Sequence, residues 1–189
     1  MLTATYSLVA LSVEQQKACG TLSALRQYIK NSSRELKDAD STCLESAVDK
    51  LSEFDQYCHQ RKVEVYVIPA IRKATREADC LLAELESLSA MGFSILRSVR
   101  DRLRMAFEQG AVKIEELCSS MELYCNNLYQ RLVKEEELLQ IAQRVISLEE
   151  WFAIAASFLS HDAAKYERKR YGRSSGPRLL PAPASTACL

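Results

Sequence analysis

The feature that most limits the fold of this chain is how far its apolar residues keep a helical repeat without meeting a breaker. Over residues 112–146, Tyr124, Leu128, Leu138, Ala142 and Val145 fall on one stripe at helical spacing. Three more stripes precede it. One covers 13–29. A second runs from residue 42 into the low seventies through Leu44, Val48, Leu51, Phe54 and Val65. A third covers 77–108 on Ala78, Leu82, Leu85, Leu96, Val99 and Leu103. The chain has only 5 Gly and 4 Pro, fewer turn residues than a strand-rich fold needs. Long helices with short connections favour antiparallel neighbours, so the expected fold is all-α: an up-down-up-down four-helix bundle.

Punctuation places the ends. Ser12, with Gln15 three residues on, predicts a capped start for the first helix. The polar stretch 31–41 reads as the first loop, and Pro69 is expected to kink or end the second helix. Gly110 offers a stop between the third and fourth. Ser147 and Glu150 form a second capping box, opening a short fifth helix through Trp151, Phe152 and Phe158. The bundle is therefore expected over 1–171. Residues 172–189, "GRSSGPRLLPAPASTACL", read as a disordered Pro/Ser/Gly tail.

Composition narrows the function. With 189 residues there is one domain's worth of core. Lys+Arg and Asp+Glu balance at 25 each, which argues against bulk binding to nucleic acid or to an acidic membrane. The opening "MLTATYSLVALSVEQ" lacks a basic n-region and reads as neither signal peptide nor membrane span. The 7 cysteines are an odd number without a C-x-x-C pair, as expected of free thiols in a reducing cytoplasm. Of these, Cys58, Cys118 and Cys125 lie in apolar patterns that read as packing. No Gly-rich phosphate loop, nucleophile set or H-E-x-x-H occurs, so no enzyme class is indicated. The basic run Lys165, Arg168, Lys169, Arg170 and Arg173 has the charge to touch nucleic acid or lipid headgroups, but such a run more often reads as a solvated helix end.

Each stripe carries one discordant position. These are Gln15 (or Gln16), His59, Ser89, and Arg131 with Glu135. Ser89 and Arg131 each lie 21 residues from Gly110, and His59 and Ser89 each lie 15 residues from Ala74. Equal counts place the interruptions at one height, the layer where bundles of this kind hold metals.

Here the sequence resembles the hemerythrin-like, or HHE cation-binding, family. "LYQRLVKEEELLQIAQRVISLEEW" (128–151) is similar to that family's last metal segment, an H-x-x-x-E followed by L-x-P-x-A-x-R-x-L-S and an acidic-Trp step. "LSEFDQYCHQRKVEVYVIPAI" (51–71) is similar to its H-H-x-K-E-E-x-x-L-F-P, and "LLAELESLSAMGFSILRSV" (81–99) to its L-x-x-L-x-x-E-H. The resemblance covers roughly 13–159 and implies a di-iron bundle.

The departures bear on function. Carried over by position, His59 falls on a ligand histidine and Glu135 on a ligand glutamate. The bridging glutamate of the second helix is Val63 here, with Glu64 beside it. The remaining family histidines fall on Ser89, Arg131 and a glutamine, and the chain has only 2 histidines. The resemblance thus implies a decayed site with no cofactor expected, and a non-enzymatic cytoplasmic module acting on an unknown protein partner. A homo-oligomer is compatible with that reading. The alternative is residual binding of iron or another divalent metal by His59, Glu64 and Glu135, as in iron, oxygen or redox sensing. In the first case Arg131 supplies the charge that the metal supplied to Glu135, and reaches toward Glu64. The competing expectation is an ordinary half-exposed pair of Arg131 with Glu135.

Overall fold

A computed structural model describes residues 2–35, 41–109 and 114–172, with side chains over 5–31, 42–105 and 115–163. The described residues are almost entirely helical and include no strand, so the protein is all-α. The elements are α1 (Leu2–Glu35), α2 (Ser41–His59), a π-helical turn (Val63–Val67), α3 (Ile68–Ala74), α4 (Asp79–Gln109), α5 (Ile114–Val145) and α6 (Leu148–Gly172). Gly110 and the tail beyond residue 172 lie outside the described residues.

α1 starts at Leu2, about three turns earlier than the sequence suggested, and Ser12 is an exposed mid-helix residue rather than a cap. The buried stripe explains this. Ala18, Leu22, Leu25 and Ile29 continue backwards through Gln15 and Leu11 to Ser7, so packing outweighs a local capping signal. The second stripe is not one helix. α2 tightens at its end, where Gln60 N–H donates to the Tyr57 carbonyl at 3.1 Å and Arg61 N–H to the Cys58 carbonyl at 3.3 Å. The chain then rewinds as a wider turn, with Ile68 N–H reaching the carbonyl of Val63 five residues back. Pro69 sits in the first turn of α3, where its missing donor is harmless. The break therefore falls before Pro69, and the shift in phase leaves Val65 exposed while Val63, Val67 and Ile71 are buried.

α4 packs along α5, α1 packs against α5, α2 and α6, and α2 packs against α4. The capping box that opens α6 is present in both halves: Glu150 N–H donates to Ser147 Oγ at 3.2 Å, and Ser147 N–H to Glu150 Oε2 at 3.3 Å. α6 buries Trp151, Ile154 and Phe158, whereas Phe152 points to solvent. Each such fully buried large side chain contributes about 1.5–3 kcal/mol, which holds α6 to the body of the fold.

The core is in two parts. One cluster joins Ala18–Ile29 of α1, Leu44–Cys58 of α2, Leu96–Leu103 of α4 and Leu117–Leu132 of α5. The other joins Leu11, Val63, Val67, Ile71, Leu82, Leu85, Leu138, Ala142, Trp151 and Phe158. Between them the apolar stripes of α1, α4 and α5, and the path from α2 into the π turn, each cross a gap. The gaps fall at Gln15 on α1, Arg61 after α2, Ser89 and Gly92 on α4, and Glu135 on α5.

Candidate functional site

The gap between the clusters is filled by charge. Arg61, Arg131, Glu135 and Gln15 are all buried, with Glu64 at the rim. The Arg61 guanidinium donates from Nη1 to Glu135 Oε2 and from Nη2 to Gln15 Oε1. Gln15 Nε2 in turn donates to the Leu132 carbonyl at 2.6 Å, fixing the orientation of its amide. Arg131 donates from Nη2 to Glu64 Oε1, and its Nε lies 3.4 Å from Glu135 Oε1. Two guanidinium groups and two carboxylates make the layer neutral.

Local structure sets each position. Arg131 and Glu135 are one turn apart on α5, so both face the interior. Arg61 follows buried Cys58 by three residues and so continues the inward face of α2 through the tightened turn. Glu64 enters from the start of the π turn, and its side chain keeps 22% exposure.

Burial is the largest influence on the Glu135 carboxyl and holds it above the usual carboxylate range, although Arg61 and Arg131 pull it down. Burial would also lower the Arg131 guanidinium, but Glu64 and Glu135 more than offset that and raise it. Arg131 is charged at any physiological pH. Arg61 Nε, Arg131 Nε and Glu135 Oε1 make no hydrogen bond among the described residues.

The expected site residues divide. Glu64 and Glu135 come together, joined through Arg131, and the Arg131–Glu135 pair is buried rather than half-exposed. His59 does not join them. Its side chain is 50% exposed, with Nε2 3.8 Å from Asp55 Oδ2. Asp55 meanwhile accepts the Tyr124 hydroxyl at 2.6 Å. Ser89 is half-buried and returns its hydroxyl to the Leu85 carbonyl at 2.9 Å. Arg61 takes the place that the sequence count gave to His59. The signal was present, since the seam Leu51, Phe54, Cys58 continues at helical spacing to 61, but a charged residue there reads as surface.

A di-iron centre needs free carboxylate oxygens and several imidazoles, and the residues present do not fit it. Glu135 Oε2 and Glu64 Oε1 are each bonded to guanidinium, and the layer has no histidine. Among the described residues no group of three or more His, Cys, Asp or Glu side chains is placed to hold a metal ion. Cys58, three residues before Arg61, is pushed up to about 12 by burial, as is Cys125, so both stay protonated and pack as small hydrophobes. Comparison of the chain with protein-family models, with curated proteins and with solved structures returns no match.

Proposed function

We propose that the chain is a hemerythrin-like, up-down-up-down four-helix bundle with α6 as a fifth helix. Its metal layer is replaced by the Arg61–Glu135 and Arg131–Glu64 pairs. On this reading the protein is a non-enzymatic cytoplasmic module that acts through its surface on a protein partner. The observation that carries the reading is the neutral layer itself, which lies between two apolar clusters where the resemblance places metal. A family member that buries carboxylates against iron must neutralise them in some other way once the iron is lost. Two guanidinium groups do this with charges that pH cannot remove. A surface suited to contact is also present: a groove of about 510 Å³ between α4 and α5, lined by Leu88, Tyr129 and Val133 with Glu84 and Lys134.

Metal analysis and a visible spectrum of aerobically purified protein test this reading. The expected result is substoichiometric metal and no oxo-bridge absorption. Stoichiometric metal would overturn it: without oxo-bridge absorption it favours the alternative, residual single-metal binding through His59, Glu64 and Glu135, and with that absorption it means that a di-iron site survives.

A further inference from the structure

Between α1 and α5 lies a cavity of about 280 Å³. Ser23, Arg26 and Lys30 line it from α1, at three- and four-residue spacing on one face of that helix. Buried Leu22 and the ring of Tyr129, from α5, add an apolar wall. Among the described residues no carboxylate lines the cavity, and α1 has no acidic residue from Gln15 to Asn31. On α5 the carboxylates flanking Tyr129 are Glu122, seven residues before it, and Glu135 and Glu136, six and seven after. Each is about 9 Å or more away along the helix, and Glu135 is already bound by Arg61.

Arg26 is held differently from Arg72, Lys134 and Arg144, which each face a carboxylate. It donates from Nη2 to the Asn126 amide oxygen on α5 at 2.7 Å and is in no ion pair among the described residues. A neutral acceptor fixes the guanidinium without neutralising it and leaves its other N–H donors open. Ser23 has no hydrogen bond among the described residues, although Thr21 on the same helix returns its hydroxyl to the Lys17 carbonyl at 2.9 Å.

We propose that this cavity binds the phosphate group of a small soluble phosphate monoester, with the ester's organic part against Tyr129. Charge selects the ligand class. A phosphate monoester carries about −1.5 to −2 charges at neutral pH, which Arg26 and Lys30 together match, whereas a carboxylate or a sulfate ester carries one. The flat guanidinium fork fits two phosphate oxygens at once, Lys30 acts as a point charge, and the Ser23 hydroxyl supplies a further donor. The Tyr129 ring offers an apolar face to an alkyl or aryl group. At about 280 Å³ the cavity lies just under the range of about 300–1,000 Å³ usual for small-molecule sites, which suits a compact ester. The inference adds a ligand to the interaction module and does not rest on its lost metal site.

Isothermal titration calorimetry of the full chain with phenyl phosphate tests it. Wild type is expected to bind one equivalent saturably, with an affinity that falls as salt rises. Arg26→Ala should raise the dissociation constant at least about tenfold, and Arg26→Lys should recover part of the loss. Tyr129→Ala should weaken phenyl phosphate about threefold to tenfold and leave inorganic phosphate unchanged. Unchanged helical circular dichroism shows that each variant folds. An absence of saturation up to about 10 mM would overturn the proposal, as would binding that tolerates Arg26→Ala. Phenyl sulfate, a monoanion, should bind at least about tenfold more weakly, and equal affinity would overturn the assignment to a dianion. Retention on vesicles containing a phosphatidylinositol phosphate, without binding of phenyl phosphate, would overturn the soluble ligand in favour of a membrane surface. Metal analysis is independent of all these outcomes, so the failure of this site is distinguishable from the failure of the bundle's functional reading.

Discussion

Glu135 is the most completely enclosed charge of the layer, and its raised carboxyl gives it a definite pH signature. A carboxyl raised on folding binds its proton more tightly in the native than in the unfolded chain. Its contribution to stability is therefore fully present below the ordinary value of 4.5 and falls as pH rises toward the folded value. Glu135→Gln removes that titration. The stability of wild type relative to this variant should decline as pH rises through the window above 4.5, measured by urea denaturation at several pH values. A difference that is flat, or that rises with pH, would count against a raised carboxyl. His59 makes the opposite case. It is half-exposed, and Asp55 already holds Tyr124. His59→Ala should shift unfolding by no more than about 0.5 kcal/mol. A large drop in melting temperature together with loss of bound metal would contradict that placement.

On α5, Asn127, Arg131 and Glu135 follow one another at four-residue spacing, and α4 answers the first of them with Gly92. A Cβ added at Gly92 would meet Asn127 Oδ1 at 2.8 Å, and Asn127 is a short, buried side chain with little room to move. Gly92→Ala should cost about 1–3 kcal/mol by overpacking. In an Asn127→Ala background the same change should be neutral, or stabilising by up to about 1 kcal/mol, because alanine is the better helix former. A four-variant denaturation cycle would show whether the glycine is there for the amide. At the start of α6, Ser147→Ala should cost about 0.5–2 kcal/mol, read from the thermal midpoint.

These elements were not equally legible. The Ser147/Glu150 box could be read because a reciprocal cap is local chemistry, needing only residues three apart. The equivalent signal at Ser12 misled because a long-range apolar stripe outweighed it. The break after His59 was hidden, since Gln60 and Arg61 carry no breaker signature and Pro69 drew the boundary downstream.

For the molecule as a whole, the polar layer was visible as a shared interruption of four stripes, and the counts brought Gln15, Ser89, Arg131 and Glu135 near one height. What the counts missed was the face: His59 lies one step off the seam of Leu51, Phe54 and Cys58, and that seam continues to Arg61. Counting residues gives the height of a position along a helix but not the direction in which it points. The layer also explains why the two apolar clusters stay in register: sliding one helix along another would strand a buried charge. Buried pairs add little net stability over an apolar layer, but removing one partner is severe.

Chemical denaturation of wild type, Arg61→Met and Arg61→Met/Glu135→Leu tests this account most directly. Arg61→Met should cost about 3–5 kcal/mol by removing the hydrogen-bonded partner of Glu135 and leaving it only the 3.4 Å contact to Arg131, and the second change should recover most of the loss. The Arg131–Glu64 pair remains neutral in the double variant. A loss below about 1 kcal/mol in the single variant, with no recovery in the double, is the behaviour of a solvated pair and would contradict a buried charge layer.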